Sequence, residues 1–437
     1  MALSDDELNK RKQRREELRK KRVAEQRRLV IALIAAGIVL VAGAVGLFLL
    51  VRNSGVVNTP AETQAETTFP TEAALAPTEE TTTRFGVEPT TTIRIKAAGD
   101  LNITDNVVAS GLAATGYEYT RSFIDVASVL SDADLTVLNL EGNICGEPYG
   151  TARTSAPKEL LQGLRSAGVD LIQMANSCTI NNGLIGLSTT LQAIREAGME
   201  PIGAYATPEE YQRSKGYTLC EVQGIRVAFV AFTKGVGGMG LPEGNEDCVN
   251  LLYKDYSTTY DEIDRDGIRN VLRAAAEEKP DVVIALLHWG SEYNDVISDT
   301  QKSIVSLLQK EGVDVIIGTH PHLVQQVEFN QAAGTLVAYS LGDFFGDGAR
   351  GGSNYSIILD IEITKDNTTG VTRVTDYDYT PIYTLQASQC DGHHRVVRIR
   401  EAMRAYSNNF VDKITKACYE DMTYSLERIV SRVGGRG

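Results

Sequence analysis

The stretch Val282-Val283-Ile284-Ala285-Leu286-Leu287-His288-Trp289-Gly290-Ser291-Glu292 decides the fold class of this 437-residue chain. Its first six residues are all apolar, which is typical of a strand buried on both faces of a sheet. Two chemically active side chains, His288 and Glu292, follow directly. Ligands of open α/β sheets bind outside the carboxyl ends of the strands. The stretch therefore predicts an α/β protein whose functional residues lie in loops after strands.

The same pattern extends in both directions from this stretch. Further short apolar runs predict strands at Ile93–Ala98, Leu135–Leu140, Val169–Met174, Ile225–Phe232, Val313–Ile317 and Thr335–Tyr339. Amphipathic segments between several of them predict helices at Pro157–Ala167, Leu184–Ala197, Glu262–Glu278 and Thr300–Glu311. This alternation predicts helices on both faces of the sheet. Two later runs, Tyr355–Thr364 and Val371–Thr380, have no helix between them and are predicted to be antiparallel strands.

Polar residues that can bind a metal recur where the predicted strands end. They are Asp100, Asn139, Glu141, Asn176, His288, Glu292, His320, His322 and Asp343. A single histidine at such a position is more often a hydrogen-bonded loop residue, but three of the five histidines in the chain lie at these ends. Together with Asp100 and Glu141 they form a donor set that suits zinc, manganese or iron, and two such ions activate water for hydrolysis. The sequence therefore predicts one or two divalent metal ions at this rim.

The N-terminal part of the chain predicts a membrane anchor. Residues 29–51 carry no charge, and at 1.5 Å per residue they are long enough to span the hydrocarbon core. A cleaved signal peptide has a shorter apolar region, and a core helix is rarely uncharged over this length. Residues 1–28 are basic, which predicts a cytoplasmic tail and an extracytoplasmic main domain. The expected partner is the lipid bilayer of the cell membrane, crossed once.

Residues 52–92 are rich in Thr, Pro and Glu and poor in large apolar side chains, which predicts a disordered linker. The main domain is expected at 93–390, followed by a helical C-terminal extension at 391–437. The net charge is −14, so nucleic acid is not an expected partner. The six cysteines form no CxxC pair, which argues against a zinc ribbon.

Six short motifs in order resemble the CapA/PgsA family of capsule-synthesis proteins over about residues 93–385. They are Gly99-Asp100, Asn139-Leu140-Glu141, Ala156-Pro157, His288-Trp289-Gly290-Ser291-Glu292-Tyr293, Gly318-Thr319-His320-Pro321-His322 and Tyr339-Ser340-Leu341-Gly342-Asp343-Phe344. The resemblance implies a domain of the calcineurin-like metallophosphoesterase type, a sandwich of two sheets flanked by helices. It also implies a role in making or exporting poly-γ-glutamate or capsule at the cell surface.

Two motifs depart from the family pattern. Where the family has Ala-Asn-Asn-His followed by Asp, this chain has Ala175-Asn176-Ser177-Cys178-Thr179-Ile180-Asn181, and Asp343 replaces an Asn. The first change removes a proton donor that the related phosphoesterases use, and general acid catalysis is worth about 10²–10⁴ in rate. Cys178 is expected in one of three states: a disulfide with Cys145, a free packed thiol, or a soft metal ligand.

The resemblance together with the strand-end residues implies a role for each candidate. The predicted metal ligands are Asp100, Glu141, His288, His320 and His322. The candidate catalytic residues are Asn176, Glu292 and Asp343, and the candidate substrate-binding residues are Asn139 and Glu328. The expected reaction is metal-assisted hydrolysis or transfer at an anionic or amide-linked substrate. The alternative is a catalytically silent module that binds an anionic polymer such as poly-γ-glutamate, or membrane-bound synthase subunits.

Overall fold

A computed structural model describes residues 88–348, 350–389, 394–408 and 414–435. The predicted tail 1–28, the predicted membrane helix 29–51 and nearly all of the linker 52–92 lie outside these residues. Within the described part of the chain, none of the helices combines the length and the apolar character that a bilayer-spanning segment needs.

The described residues form fourteen strands and nine α-helices. The strands are β1 Thr90–Asn102, β2 Leu135–Glu141, β3 Leu171–Gln173, β4 Glu200–Ile202, β5 Tyr217–Val222, β6 Ile225–Thr233, β7 Val282–His288, β8 Val315–Thr319, β9 Val327–Asn330, β10 Thr335–Ala338, β11 Asp343–Phe345, β12 Tyr355–Asp366, β13 Thr372–Leu385 and β14 Arg395–Arg398. The helices are α1 Asp105–Ser110, α2 Thr120–Leu130, α3 Glu159–Ser166, α4 Gly183–Glu196, α5 Pro208–Ser214, α6 Arg265–Glu277, α7 Asp299–Lys310, α8 Ile399–Ser407 and α9 Lys416–Val433.

The strands form two mixed sheets. The first has the order β14-β13-β12-β1-β2-β3-β4, and β11 pairs with β1. Its β1, β2, β3 and β4 are parallel, while β12, β13 and β14 are antiparallel to their neighbours. The second sheet has the order β5-β6-β7-β8-β10-β9. Its four central strands are parallel, and the edge strands β5 and β9 are antiparallel.

The second sheet is buried on both faces, which explains its continuous apolar runs. In β6, Val227, Phe229 and Ala231 belong to the same core as the residues of the first sheet. The alternate residues Ala228, Val230 and Phe232 face the other way, into a second core with α6 and α7. Side chains alternate along a strand, so both faces must be apolar when both are covered. The result is an α/β sandwich of two sheets with helices on the outside.

The helices of the second core begin at well-formed caps. Ser298 accepts a hydrogen bond from the backbone of Gln301, and the Gln301 side chain bonds back to the Ser298 backbone, which completes a capping box at the start of α7. Asp264 accepts a hydrogen bond from Gly267 N and caps α6 through this single bond. These caps fix where each helix starts relative to the strand before it.

The seven predicted strands of the parallel region and the four predicted helices are all present, with their ends shifted by at most four residues. The late strands β12 and β13 are antiparallel, as predicted. The C-terminal segment contains two helices and also strand β14, which pairs with β13 and so extends the first sheet. It buries Met422 and Ile429 of α9 in the core. His394, at the start of this segment, is buried and packs edge-on against the ring of Phe345.

Candidate metal centre

Both sheets contribute strand ends to one cluster of acidic residues and histidines. Asp100 lies near the end of β1, and Glu141 ends β2. From the second sheet, His288 ends β7, while His320 and His322 follow β8. All five side chains are buried. The parallel strands of the two sheets therefore bring their carboxyl ends together, as the sequence predicted.

Two glycines allow these strand ends to approach one another closely. A Cβ atom on Gly99 would lie 1.8 Å from the carbonyl oxygen of Gly342, and one on Gly318 would lie 1.9 Å from that of Tyr339. Any larger residue would push the backbones apart, since real contacts are never this short. Because Gly99 has no side chain, the backbone N–H of Asp100 can approach Gly342 O and donate a hydrogen bond to it over 3.0 Å. The chain leading into Asp343 is thereby held beside β1.

Asp100 is oriented by a chain of buried amide hydrogen bonds. Asn139 Nδ2 donates to Asp100 Oδ1 over 2.6 Å, and Asn176 Nδ2 donates to Asn139 Oδ1 over 3.0 Å. Asn176 Nδ2 also donates to Leu140 O, and its Oδ1 accepts from Cys178 N. The other oxygen of Asp100 accepts the backbone N–H of His320 over 3.0 Å. Every hydrogen-bonding group of the Asn176 side chain is thus used to hold the loop.

The donor atoms gather in three overlapping groups, each within 4.8 Å. The groups are Glu141 with His320 and His322, Asp100 with His322 and Asp343, and Asp100 with Glu141 and His288. Carboxylate oxygens and imidazole nitrogens are ligands that zinc, manganese and iron share. Two of the three groups share Asp100, and two share Glu141, which is the arrangement that lets one carboxylate serve two ions. The predicted ligand set is therefore brought together, and Asp343 joins it.

Two buried donor atoms in this cluster lack hydrogen-bond partners. Glu141 Oε1 and His320 Nδ1 are both inaccessible to solvent and make no hydrogen bond in the described structure. A buried unsatisfied polar atom costs about 1–3 kcal/mol, so such atoms are rare and call for a physical reason. A cation bound between them supplies one. The residues present therefore fit a divalent metal.

The protein hydrogen bonds of the histidines fix their ring orientations. His322 Nδ1 lies 2.7 Å from Asp343 Oδ1, and His288 Nδ1 lies 3.3 Å from Thr319 Oγ1. Such hydrogen bonds select the tautomer and the ring plane of a metal-binding histidine. The backbone at His320 and His322 has positive φ, +91° and +57°. A non-glycine residue in this region costs on the order of 1–3 kcal/mol and is concentrated at functional sites.

Burial and mutual charge shift the pKa values of the cluster strongly. Burial raises the pKa of Glu141 well above its usual range, and the neighbouring charge of Asp100 adds to the rise. Burial also raises the pKa of Asp343 to about 6 and lowers that of His320 to about 3. For His322, burial opposes the charged form, but the hydrogen bond and charge of Asp343 outweigh it and raise the pKa to about 10. Perturbations of this size in one cluster are typical of functional sites.

The residues predicted to act on substrate differ in how they lie relative to the cluster. Asn176 is a positioning residue, since all its polar atoms bond to the protein. Glu292 is exposed on the loop after β7 and lines a cavity beside the cluster rather than touching the histidines. Asp343 bonds to His322 and belongs to the donor groups. Asn139 donates a hydrogen bond to Asp100 and so holds that carboxylate in place.

Glu328 lies away from the cluster. It is exposed on the edge strand β9, opposite Val337 of β10, and its carboxylate accepts a hydrogen bond from the Tyr339 hydroxyl. Cross-strand partners face the same side of a sheet. Val337 packs in the core beneath α6 and α7, so Glu328 faces that side. The prediction that Glu328 binds substrate rested on the sequence alone, and this position gives it no contact with the donor groups.

Cys145 and Cys178 are both free thiols, so the disulfide, one of the three expected states, is not formed. Cys145 Sγ lies 3.4 Å from Ser155 Oγ, and Cys178 is held in the loop after β3 by the hydrogen bond from its N–H to Asn176. Burial raises the pKa of the Cys178 thiol, and the charge of Glu141 raises it further. Cys178 is in none of the three donor groups. Of the three expected states, the free packed thiol is the one observed.

Three residues of the site were missed by the sequence analysis as functional candidates. Ser177 Oγ lies 3.2 Å from His288 Nε2, and Thr319 orients the same ring from its other side. Lys234 follows the last residue of β6 and faces the cavity that Ser177 and His320 also line. The rule used for the other strands, that chemistry follows a strand end, would have found Lys234.

The matching family model and the curated relatives of this chain agree on one family. The bacterial capsule synthesis protein family PGA_cap matches residues 94–347. The capsule biosynthesis protein CapA of Bacillus anthracis is 26% identical over 195 residues, 44% of this chain and 44% of that protein. The PGA biosynthesis protein CapA of Bacillus subtilis (strain 168) is 26% identical over 221 residues, 51% of this chain and 54% of that protein. The chain spans about half the length of the curated relatives it matches.

Solved structures overlap with the chain only partially. The calcineurin-like phosphoesterase YfkN from Bacillus subtilis has a TM-score of 0.41 and 17% identity, covering 78% of this chain and 98% of that one. A putative 5'-nucleotidase from Staphylococcus aureus has a TM-score of 0.41 and 13% identity, covering 78% of this chain and 58% of that one. Overlap at this level assigns neither a fold family nor a reaction.

Proposed function

The chain belongs to the bacterial capsule synthesis protein family PGA_cap, and on that premise we propose that it is a metal-dependent component of capsule or poly-γ-glutamate synthesis and export. Its substrate is anionic or amide-linked, and the reaction is metal-assisted hydrolysis or transfer. The names of the two CapA relatives support the biological role. The buried donor groups support the chemistry.

The observation that carries the catalytic part of the proposal is the pair of unsatisfied atoms, Glu141 Oε1 and His320 Nδ1. Hydrogen bonds satisfy the neighbouring Asp100 and His322, so the cluster as a whole is ordered by the protein. One or two divalent ions, zinc, manganese or iron, would be held by Asp100, Glu141, His288, His320 and His322, with Asp343 as a further donor. Such an ion supplies a Lewis acid that polarises a substrate oxygen.

The protein's own groups orient the donors and shape the approach to them. Asn139 and Asn176 fix Asp100, Thr319 fixes His288, and Asp343 fixes His322. The two mixed sheets with outer helices fit the more specific class that the motifs implied, a domain of the calcineurin-like metallophosphoesterase type. That class remains part of the proposal.

We test the metal centre with the full-length protein purified in detergent and analysed by elemental mass spectrometry. Wild type is expected to carry about one or two equivalents of metal per chain, and a His288→Ala, His320→Ala variant is expected to carry close to none, because too few donors remain for tight binding. The matched control is His394→Gln, since His394 is a buried histidine in none of the donor groups. Full metal content in the double variant would contradict the proposal.

The proposal includes a membrane anchor at residues 29–51 and an extracytoplasmic main domain. The uncharged segment and the basic residues before it support this orientation. Protease added to intact cells, with any outer membrane opened, should release a fragment that begins within 53–92. Protection of the whole chain would contradict this orientation. The expected partners are the lipid bilayer, an anionic surface polymer and membrane-bound synthase subunits.

A second candidate function is a silent polymer-binding or scaffold module. The loop 175–181 favours it, because Ser177 and Cys178 stand where the family motif has Asn and His, and burial raises the pKa of the Cys178 thiol. Asn176 has no hydrogen left to donate to a substrate. The two functions differ in one assay: wild type that carries metal but does not shorten γ-linked glutamyl peptides, or transfer from them, would support the scaffold.

A further inference from the structure

The loop after β7 covers one histidine of the candidate metal centre. Residues 291–296 of this loop are exposed to solvent, yet the Tyr293 ring stacks on the His322 ring, with centroids 5.1 Å apart and planes inclined by 27°. The backbone N–H of Tyr293 donates a hydrogen bond to Pro321 O over 2.9 Å. The guanidinium of Arg350 lies 5.2 Å from the centre of the same tyrosine ring. Tyr293 therefore lies against a predicted metal ligand and limits how the imidazole of that ligand can turn.

The loop has a conformation that needs support from outside it. Tyr293 has a φ of +54°, which residues other than glycine adopt rarely. Gln325 Nε2 donates a hydrogen bond to Asn294 O over 2.9 Å, but the side chain of Val296 is 66% exposed and adds little apolar packing. A strained segment keeps such a conformation only when the surrounding structure holds it there.

The C-terminal helix α9 supplies this support through a cluster of ion pairs. Arg432 Nη2 donates to Asp295 Oδ2 over 2.5 Å, and Arg428 Nη2 donates to the same oxygen over 3.3 Å. Arg432 Nη1 also donates to Val324 O over 2.9 Å. The Arg432 side chain is only 13% exposed, so solvent and salt screen its charge less than that of a surface arginine. One guanidinium therefore ties the loop to the segment that carries His322.

A cavity makes these ion pairs the main link between the loop and α9. It has a volume of about 500 Å³ and lies where the loop and the helix meet. The residues that line it come from both elements and include Tyr293, Asp295, Arg428 and Arg432. Because this space is open, apolar packing contributes little there, and the charged side chains carry the contact. The helix itself is firmly anchored, since its Ile429 is fully buried, and it lies outside the residues 94–347 that the family model matches.

We propose that α9 holds this loop in place through the Asp295–Arg432 pair. Tyr293 is thereby a positioning residue that keeps the His322 ring in one plane, so that its ligand nitrogen keeps its direction. Groups that orient a metal-binding histidine raise metal affinity, and removing one typically costs about 10- to 100-fold. The inference rests on the proposed function, and it adds to the metal centre a helix that lies beyond the matched family domain.

The first test measures zinc binding to the full-length protein in detergent, by competition with a chromophoric chelator. Tyr293→Ala should raise the dissociation constant of zinc about 10-fold, whereas Tyr293→Phe retains the ring and should bind zinc as wild type does. Asp295→Asn should raise it about 3- to 10-fold, because this carboxylate is 41% exposed and its ion pair is partly screened. The matched control is Lys416→Gln in α9, which removes an exposed charge that pairs with Glu420 and should leave zinc binding unchanged.

A double variant shows whether Asp295 acts through the tyrosine. Tyr293→Ala combined with Asp295→Asn should bind zinc no more weakly than Tyr293→Ala alone, because both changes remove the same support. The visible absorption spectrum of the cobalt(II)-loaded protein should change in Tyr293→Ala and stay unchanged in Tyr293→Phe, since it reports on ligand geometry. Losses that add in the double variant, or wild-type zinc affinity in Tyr293→Ala, would overturn the positioning role.

Hydrogen exchange in EDTA measures the contact with α9 without any metal. Asp295→Asn and Arg432→Gln should each speed the amide exchange of a peptide that contains Tyr293 by about 3- to 10-fold, because the bond from its N–H to Pro321 O opens more often. Wild-type exchange in both variants would overturn the role of α9. Wild type that binds no zinc but shows this dependence would contradict the proposed function and leave the role of α9 standing.

Discussion

Replacing Asn176 by alanine tests whether the amide chain holds the metal centre in place. Three hydrogen bonds end on this buried side chain: Nδ2 to Asn139 Oδ1 at 3.0 Å, Nδ2 to Leu140 O at 2.7 Å, and Cys178 N to Oδ1 at 2.9 Å. The alanine variant leaves Asn139 Oδ1 and the Cys178 N–H unpaired, while Leu140 O keeps the hydrogen bond from Gly142 N. At about 1–2 kcal/mol for each unpaired group, the free energy of unfolding should fall by roughly 2–4 kcal/mol. That is a large part of the 5–15 kcal/mol typical of a folded domain, as an order of magnitude.

Urea unfolding in EDTA measures this loss, and the chain provides its own probe. Trp289 is the only tryptophan and is fully buried next to His288, so its fluorescence reports on this domain. The control is Asn181→Ala, an exposed asparagine of the same loop, which should change stability by less than about 0.5 kcal/mol. Asn176→Asp should be no better than alanine, because a carboxylate cannot donate to either acceptor. A loss below about 1 kcal/mol for Asn176→Ala would refute the reasoning.

Three further outcomes follow from the same geometry. Glu141→Gln should raise the melting temperature of metal-free protein at pH 7, because a buried carboxylate with a raised pKa destabilises the fold by about 1.4 kcal/mol for each pKa unit of elevation. The same variant purified without chelator should carry less metal than wild type. Unchanged stability in EDTA would contradict this prediction. Gly318→Ala should cost more than about 3 kcal/mol in a urea titration, since its Cβ would lie 1.9 Å from a backbone carbonyl, whereas Gly240→Ala has open space and should be close to neutral. In non-reducing peptide mapping Cys178 should be found unlinked to Cys145 and slow to alkylate in the native state, and a linked peptide would refute the free-thiol assignment.

The fold class was predictable because it depends on short-range patterns. The apolar run 282–287 and its neighbours had to be strands covered on both faces, and α6 and α7 showed the period of amphipathic helices. The edge elements were not predictable in the same way. Strand β9 has only four residues, two of them exposed, and β14 interrupts a segment that otherwise has helical character. Such short strands form only by pairing with a neighbouring strand, and the sequence alone does not identify that neighbour.

The sequence by itself predicted most of the residues of the candidate metal centre, and the structure added Asp343. Asp100, Glu141 and the three histidines each follow or end a strand, and parallel strands must bring those ends to one rim. The tertiary structure alone decided what each neighbour does. The Asn176 side chain makes its hydrogen bonds within the protein, and Lys234 faces the cavity beside the cluster. Glu328 lies on an edge strand away from the site. The physical reason is that a strand's period fixes the position of a side chain along the strand, whereas the direction and partners of that side chain depend on packing between two sheets that are distant in sequence.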